Sequence, residues 1–371
     1  MFNHISSLLG LICFLIFVSC SPESSTPKAP KKAKNVIFLI GDGMGLTQMS
    51  AGTFSNGNTS NFEKCEYIGL HKPYASNMLI TDSAAGATAF ACGVKTYNAA
   101  IGVNADTLSV KTILEEAEER GLATGLIATS SIVHATPASF IAHNKFRKNY
   151  EDIAEAFLDT EIDYFVGGGK KHFDARNKDD RNLIKELEEK GYLMSTYFEK
   201  ELNEIEIPTS QNFGYLTSSE EPLPHAQGRE YLSIAVSKGL DHLSSRGAED
   251  GFFLMIEGSQ IDWGGHANMI DYVIDEWKEF NTVIGEVIEW AEKDGETLVV
   301  ITADHETGGL AIQKESKMDS IVAAFTSDYH TGTMIPVYSY GVGAEKFKGI
   351  YENTAICNKI KEAFGWNQPE E

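Results

Sequence analysis

Short apolar segments alternate with amphipathic segments along most of the chain, and this alternation constrains the fold more than any other feature. The apolar segments, several of them rich in Val and Ile, are predicted as buried strands at 36–40, 125–128, 164–166, 252–256, 298–301 and 336–340. The amphipathic segments are predicted as helices at 110–120, 179–190, 227–243 and 272–293. Strands alternating with helices predict an α/β fold, a three-layer α/β/α sandwich around a central, mostly parallel sheet.

Polar clusters follow directly on several of the predicted strands. They are Gly-Asp-Gly-Met-Gly at 41–45, Glu257, and Ala-Asp-His-Glu-Thr at 303–307. In open α/β sheets, ligands bind beyond the carboxyl ends of the strands, so these clusters are predicted to converge in space. Residues 195–224 are the least periodic part of the chain and are interpreted as a long surface excursion, with no domain boundary there.

The N-terminus has the pattern of an export signal. Residues 8–18 form an almost unbroken apolar run that is too short to span a bilayer, so residues 1–20 are predicted to be a signal peptide. The run is followed by Ser19 and Cys20, and the sequence around Cys20 resembles a bacterial lipobox. A lipid anchor on Cys20 and ordinary signal-peptidase cleavage both stay open. Residues 21–34, rich in Ser, Pro, Lys and Ala, are predicted to be a flexible tether, and residues 35–371 a single catalytic domain. The protein is therefore expected in the periplasm or anchored to the outer membrane.

The charge and cysteine content exclude some classes of protein. There are 31 Lys and Arg against 53 Asp and Glu, a net charge of −22, which argues against a nucleic-acid-binding surface. Such a chain would also repel an anionic substrate unless metal ions made the site locally positive. Beyond the export segment the cysteines are Cys65, Cys92 and Cys357, so at least one thiol is free. Cys92 lies in an apolar stretch and is predicted to be a core thiol.

Carboxylates and imidazoles cluster after the predicted strands in a pattern that suits a metal centre. A single Asp after a strand is more often a helix cap or turn residue, and a single His is more often structural. Together they make a mixed oxygen and nitrogen ligand set, which suits Zn²⁺, whereas an all-oxygen set would suit Mg²⁺. The residues in question are Asp42, Glu257, Asp262, His266, Asp304, His305 and His330. From the residues alone, the prediction is a metalloenzyme of unspecified activity.

Ser83 stands in a stretch of small residues, Thr-Asp-Ser-Ala-Ala-Gly-Ala-Thr-Ala at 81–89, that favours a helix. Ser83 would lie in its first turn, where free backbone N–H groups and the positive end of the helix dipole would face a bound phosphate. A Ser at such a position is often only an N-cap. No His lies within a few residues to act as a base, so a nucleophilic Ser83 would need activation by a metal.

Four segments and a later histidine resemble the signatures of the alkaline phosphatase family. They are Asn-Val-Ile-Phe-Leu-Ile-Gly-Asp-Gly-Met-Gly at 35–45, the 81–89 stretch, Glu-Gly-Ser-Gln-Ile-Asp at 257–262, Thr-Ala-Asp-His at 302–305, and His-Thr-Gly-Thr at 330–333. The order and spacing match as well, from about Lys34 to the C-terminal region. The resemblance implies an alkaline phosphatase-like fold, a homodimer, and hydrolysis of phosphate monoesters through a phosphoserine at alkaline pH.

The resemblance also implies a role for each matching residue. Ser83 would be the nucleophile, Arg147 would clamp the phosphate and Asp82 would orient that Arg. The metal ligands would be Asp262, His266 and His330 for one zinc, Asp42, Asp304, His305 and Ser83 for a second zinc, and Asp42, Glu257 and Thr136 for a third metal, Mg²⁺.

Two positions depart from the pattern of some family members, and two other functions stay open. His134 stands where some members have Asp, close to the third metal, so weaker Mg²⁺ binding and activation by added Mg²⁺ are expected. Trp263 stands where some have Lys or His and is left without a catalytic role. A related phosphodiesterase or sulfatase would prefer a diester or sulfate substrate, and a metal- or phosphate-binding lipoprotein would show no turnover.

Overall fold

A ten-stranded sheet forms the centre of the structure, a computed structural model that describes residues 31–366. In chain order the strands of the structure are β1 (Asn35–Gly41), β2 (Tyr67–Lys72), β3 (Ala123–Ser131), β4 (Tyr164–Gly168), β5 (Leu193–Thr196), β6 (Phe213–Leu216), β7 (Phe252–Gly258), β8 (Thr297–Thr302), β9 (Glu306–Thr307), β10 (Ala311–Ile312), β11 (Ala323–Ala324), β12 (His330–Thr331), β13 (Ile335–Gly341) and β14 (Gly349–Glu352). The main sheet has the order β14-β2-β13-β8-β1-β7-β3-β4-β6-β5, and β10–β11 and β9–β12 form two small ribbons.

Strand direction in the main sheet confirms the prediction of a mostly parallel sheet. Only β13 runs antiparallel to its neighbours, β2 and β8. All six predicted strands are present, as β1, β3, β4, β7, β8 and β13. Strands β2, β5, β6 and β14 were not predicted, because they are short or lack a long apolar run. The interpretation of 195–224 as a surface excursion is wrong for β6, whose four residues are buried between β4 and β5.

Helices cover both faces of the sheet, which confirms the three-layer sandwich. They are α1 (Leu46–Ser55), α2 (Ser83–Cys92), α3 (Ile113–Glu119), α4 (Ala135–Ile141), α5 (Tyr150–Asp159), α6 (Lys171–Asp174), α7 (Leu183–Glu189), α8 (Tyr231–Arg246), α9 (Gln260–His266), α10 (Ile270–Asp294) and α11 (Ala355–Phe364). Strand residues alternate between two cores. Val36 and Phe38 of β1 pack in the core with α2, α3 and α11, whereas Ile37 and Leu39 pack in the core with α8 and α10.

The order of the central strands places the polar clusters side by side. Strands β8, β1, β7 and β3 are neighbours and parallel, so their carboxyl ends share one edge of the sheet. Asp42 follows β1, Asp304 lies just beyond β8 and Glu257 is the penultimate residue of β7. The predicted convergence of these residues is therefore a consequence of the sheet topology.

The first part of the chain is described only from residue 31. The predicted signal peptide at 1–20, Cys20 and most of the predicted tether lie outside the described residues. Residues 32–366 belong to one compact unit. The last tether residues are attached to it, since Ala33 is buried and its N–H donates to the carbonyl of Ala363. Within residues 31–366, no helix combines the length and the apolar character needed to cross a membrane.

The cysteines confirm that disulfides do not organise the described structure. Cys65, Cys92 and Cys357 are all free thiols. Cys92 is buried near the end of α2, as predicted for a core residue.

Candidate active site

The turn after β1 places Asp42 at the centre of the site. Its backbone N–H donates to the carbonyl of Gly258 at the end of β7, which holds the turn against the neighbouring strand. Gly43 has φ +71°, and a Cβ there would lie 2.6 Å from Cα of Asp262. Only glycine fits this close approach, so the turn brings Asp42 and Asp262 into one site. Both carboxylate oxygens of Asp42 are buried and have no hydrogen-bond partner among residues 31–366.

Asp304 and His305 follow β8 and face Asp42. One oxygen of Asp304 accepts from the backbone N–H of Gly43 at 3.2 Å, while the other, Oδ2, lies 3.2 Å from Nε2 of His305. The same Nε2 lies 3.5 Å from Oδ1 of Asp42 and 3.4 Å from Oγ of Ser83. Burial holds the pKa of His305 well below its usual value, so its ring is neutral. Asp42, Asp304 and His305 thus form a group whose ligand atoms could share one metal ion.

A second group forms where α9 meets the strand β12. Asp262 and His266 lie four residues apart on α9, with His266 Nε2 3.3 Å from Asp262 Oδ2. His330 Nε2 lies 3.6 Å from Asp262 Oδ1 and 3.1 Å from His266 Nε2. The Nδ1 atoms of the two histidines donate to the carbonyls of Asp328 and Thr81. A carbonyl thus holds Nδ1 of each ring, and the two Nε2 atoms face each other. The hydrogen bond with Asp262 raises the pKa of His266 to about 9, so this ring is protonated in the metal-free chain and would give up its Nε2 proton to a bound cation.

A third group lies at the ends of β3 and β7. Asp42, His134 and Glu257 have ligand atoms within metal-binding reach of one another. Thr136 is fully buried in the first turn of α4. Glu257 accepts from the hydroxyl of Ser130 at 3.3 Å, and its other oxygen has no partner in the described part of the chain. With two carboxylates and a hydroxyl beside one imidazole, this group is richer in oxygen than the group of Asp262, His266 and His330, and such a set suits a harder cation such as Mg²⁺.

Ser83 is the first residue of α2, and Asp82 is the cap of that helix. One carboxylate oxygen of Asp82 accepts from the N–H of Ala85, so the interpretation of Ser83 as the N-cap is wrong. The other oxygen accepts from the N–H of Ala99 and from Nη1 of Arg147 at 3.0 Å. The same Nη1 lies 3.5 Å from Oγ of Ser83. Asp82 therefore both caps the helix and directs the guanidinium toward Ser83.

The electrostatics of the site call for cations. Burial raises the pKa of Asp42 well above its usual value, and the carboxylates of Asp304 and Asp262 raise it further. Burial also raises the pKa of Glu257 to about 7 and that of Asp304 to about 7. Asp262 differs, because its histidine neighbours outweigh burial and lower its pKa. Buried carboxylates with unpartnered oxygens are costly without a bound ion, so the residues present fit the metals that the sequence predicts.

His134 connects the third group to Arg147. Its Nε2 lies 3.3 Å from Nη2 of Arg147, and its Nδ1 is buried with no partner among the residues described. Burial, together with the charge of Arg147, lowers the pKa of His134 to about 3. His134 is therefore neutral and adds no negative charge to the group. Trp263 packs edge-on against it at 6.1 Å between ring centroids.

The structure brings all the predicted site residues to one edge of the sheet. They are Asp42, Asp82, Ser83, His134, Thr136, Arg147, Glu257, Asp262, His266, Asp304, His305 and His330. Their individual roles remain predictions.

Three further buried polar residues adjoin the site without having been predicted. The amide of Gln48 donates to Glu306 at 2.6 Å and to the carbonyl of Thr307 at 2.7 Å, and the Thr307 hydroxyl donates to Asp262. Glu306 and Thr307 directly follow the predicted ligand His305 in the sequence. Their position next to His305 was the only sequence feature that could have indicated a role for them in the site. No sequence feature indicated such a role for Gln48.

Comparison with known proteins gives one consistent result. A sequence model of the alkaline phosphatase family matches residues 33–324. Alkaline phosphatase 3 of Bacillus subtilis is 34% identical over 451 residues, covering 97% of this chain and 96% of that protein. Alkaline phosphatase of Escherichia coli is 29% identical over 411 residues, covering 90% of this chain and 87% of that protein.

Solved structures agree with the sequence comparison. The structure of an alkaline phosphatase from the Antarctic bacterium TAB5 is 42% identical, with a TM-score of 0.85, and the match covers 91% of this chain and 100% of that one. A histidine-to-aspartate variant of the TAB5 enzyme, 41% identical with the same TM-score and coverage, has Mg bound in its M3 site. Both structural matches extend over nearly the whole described chain.

Proposed function

The chain belongs to the alkaline phosphatase family, whose members are phosphomonoesterases, and from this premise we propose that it hydrolyses phosphate monoesters through a phosphoserine on Ser83. The observation that carries the proposal is the position of the Ser83 hydroxyl. It lies 3.4 Å from His305 Nε2 and 3.5 Å from Arg147 Nη1, at the N-terminus of α2. The proposed nucleophile, Ser83 Oγ, thus lies next to both a cation that could bind phosphate, Arg147, and a group of residues that could bind a metal ion.

The binding of the phosphate group follows from the residues around Ser83. The guanidinium of Arg147 can donate to two phosphate oxygens, and Asp82 fixes its orientation. The backbone N–H groups of Ser83 and Ala84 belong to the first turn of α2, where an N–H has no intrahelical acceptor and the helix dipole favours an anion. Burial opposes the charge of Arg147, but Asp82 outweighs burial and raises the pKa of Arg147, which stays cationic.

Three metal sites complete the proposed centre. Asp42, Asp304 and His305, with Ser83, would hold one zinc. Asp262, His266 and His330 would hold the other, and His305 also lies within metal-binding reach of Asp262 and His330. When bound, the zinc ions would supply the positive charge that favours the Ser83 alkoxide and stabilises the leaving oxygen. Asp42, Glu257, Thr136 and His134 would hold a third ion, Mg²⁺.

The covalent sequence has two displacements at phosphorus. Ser83 Oγ, having lost its proton, forms a bond to phosphorus while the ester P–O bond breaks, and the departing alcohol takes up a proton. Water then forms a new P–O bond while the bond from phosphorus to Ser83 Oγ breaks, which releases inorganic phosphate and restores the serine. Arg147 holds the transferring group in place through both steps.

The third site is proposed to bind Mg²⁺ weakly because His134 is neutral. We take His134 as the counterpart of the histidine replaced in the TAB5 variant that holds Mg in its M3 site, since His134 is the histidine of the group with Asp42 and Glu257. We expect activity to rise on addition of Mg²⁺ to the zinc-loaded protein. Full activity after removal of Mg²⁺ with zinc retained would contradict this.

The decisive experiment combines metal analysis with a serine variant. The purified protein should contain about two zinc ions per chain, and chelation should abolish hydrolysis of p-nitrophenyl phosphate until zinc is restored. Ser83→Ala should lose phosphoserine labelling and at least about 1,000-fold in kcat. Ser245→Ala, an exposed serine of α8, is the matched control. Unchanged turnover of Ser83→Ala, or a preference for the bis(p-nitrophenyl) ester, would rule out the proposal.

Export and assembly extend the proposal. We expect the N-terminal segment to direct export, to the periplasm or to an outer-membrane anchor through Cys20. Mass spectrometry of the mature N-terminus distinguishes a lipidated Cys20 from ordinary cleavage. We also expect a homodimer, which light scattering of the purified protein tests directly.

A further inference from the structure

We propose that Glu306 is a positioning residue of the metal centre, which holds His330 in its ligand orientation by clamping together the ribbon of β9 and β12. This inference rests on the proposed function, because it concerns the zinc site of Asp262, His266 and His330. Glu306 has no place among the predicted ligands or substrate-binding groups. Its proposed role depends on the hydrogen bonds by which it connects α1, β12 and the residues that follow β9.

The ribbon that carries His330 is too short to be stable by itself. Strand β9 has two residues and pairs antiparallel with β12 through His330 opposite Thr307 and Thr331 opposite Glu306. The two strands are joined by residues 308–329, most of which are exposed or half-exposed. A two-stranded ribbon of ordinary length is already marginal in water, so this one needs other contacts to hold its register.

Glu306 supplies those contacts from a buried position. Its Oε1 accepts from the side-chain amide of Gln48 at 2.6 Å and from the N–H of Leu310 at 3.1 Å. Its Oε2 accepts from the N–H of Gly309 at 3.2 Å and from the hydroxyl of Thr331. The residue is only 4% exposed, and the four groups that donate to it are all neutral. Four neutral donors thus take the place of the water molecules that would solvate an exposed carboxylate. They connect α1, the residues after β9 and strand β12 to the Glu306 side chain.

The clamp reaches metal-ligand residues on three segments. Thr331 directly follows His330, so the bond from its hydroxyl to Glu306 restrains the backbone of that ligand. Thr307 directly follows Glu306, and its hydroxyl donates to Asp262 and lies 3.2 Å from Nδ1 of His305. The amide of Gln48 donates to Thr307 as well as to Glu306, so α1 holds both residues of β9.

Gly45 makes room for the clamp. A Cβ on Gly45 would lie 2.3 Å from Cγ of Glu306 and 2.7 Å from its Cβ. The backbone of Gly45, with φ −75°, is one that alanine also adopts. The close approach to Glu306, and not backbone strain, is therefore the reason that a side chain does not fit there.

The first test is Glu306→Gln in the full chain. The carboxamide keeps the size of the side chain but turns one acceptor into a donor that faces donors. We expect about 10- to 100-fold weaker binding of one zinc ion per chain in competition with a chelator, and unchanged binding of the other. Glu315→Gln removes the same charge from an exposed site in the 308–329 connection and should match the wild type. Two zinc ions bound with wild-type affinity by Glu306→Gln would overturn the positioning role.

The second test does not depend on the metal. In the metal-free chain, Glu306→Gln and Gly45→Ala should both raise amide hydrogen exchange at residues 326–333 and leave the central strands protected. The inference would be overturned if exchange rose throughout the chain, or if it did not rise at residues 326–333. A wild-type chain that binds no zinc would instead refute the proposed function itself, so the two failures are distinguishable.

Discussion

In the metal-free chain, the buried carboxyls of the site should lower the stability as the pH rises from about 4.5 to about 7, whereas buried histidines such as His134 and His305, whose pKa values burial lowers, act in the opposite direction. Burial raises the pKa of Glu257 from 4.5 to about 7 and that of Asp304 from 3.8 to about 7. In this window these two carboxyls therefore bind more protons in the folded chain than in the unfolded chain, and their contribution to stability falls as the pH rises. The fall is complete once the pH exceeds the folded pKa values. Asp262 has a lowered pKa, so its own contribution is lost only at lower pH.

The size of the fall follows from the pKa values. One pKa unit corresponds to about 1.4 kcal/mol, which gives about 3 kcal/mol for Glu257 and about 4 kcal/mol for Asp304. The two carboxylates interact with each other, so a combined fall of about 3–7 kcal/mol is expected. That is a large part of the stability of an ordinary domain. Bound cations favour the ionised carboxylates, so zinc and Mg²⁺ together should remove or reverse this part of the pH dependence.

Urea denaturation of the chelator-treated protein at pH 5, 6, 7 and 8, with and without added zinc and Mg²⁺, measures the effect. Other buried acids, such as Glu118 with a pKa raised to about 8 by burial, contribute equally to both series and cancel in the difference. Glu257→Gln should remove about 3 kcal/mol of the fall, whereas the exposed Glu315→Gln should not change it. A metal-free Glu257→Gln chain whose stability has the same pH dependence as that of the metal-free wild type would refute the reasoning.

Three further substitutions test the site from other directions. His134→Asp should tighten Mg²⁺ binding by about 10- to 100-fold, because it adds a charge at ligand distance; calorimetric affinity no tighter than the wild type would count against this. Arg147→Lys should weaken inhibition by inorganic phosphate by about tenfold or more, since an ammonium cannot donate a planar fork; an unchanged inhibition constant would remove Arg147 from the phosphate site. Gly43→Ala, at φ +71° and 2.6 Å from Cα of Asp262, should cost about 1–3 kcal/mol of stability and lower zinc content, as thermal unfolding and metal analysis would show.

The sequence was sufficient for the parts of the fold that have a long-range pattern. The apolar runs predicted the six central strands, and their alternation with helices predicted the layers, since buried parallel strands must be apolar on both faces. Strands β5 and β6 were not predicted, because four residues are too few for a periodic signal. The burial of β6 depends on its place between β4 and β5, which no local pattern encodes.

The site, like the fold, has parts that the sequence could predict and parts that it could not. The positions of Asp42, Glu257 and Asp304 could be predicted because strand ends converge in this topology. The interpretation of Ser83 as a cap could not be rejected from local sequence, since Asp82 and Ser83 are both good N-cap residues and the choice between them needs coordinates. Gln48 and Glu306 are 258 positions apart in the sequence, so the hydrogen bond between them could not be predicted without the fold.

The charge of the site gives a physical reason for the proposed third ion. The predicted ligands include four carboxylates, those of Asp42, Glu257, Asp262 and Asp304, while Arg147 is neutralised by Asp82. Two zinc ions would only balance four carboxylates, whereas a third divalent ion would leave about two positive charges, the complement of a phosphate monoester dianion. We therefore expect inorganic phosphate to bind more weakly, by about tenfold or more, to the chain loaded with zinc alone than to the chain loaded with zinc and Mg²⁺. Calorimetry of phosphate binding with and without Mg²⁺ measures the difference, and equal affinities would show that the third ion does not supply the charge on which binding depends.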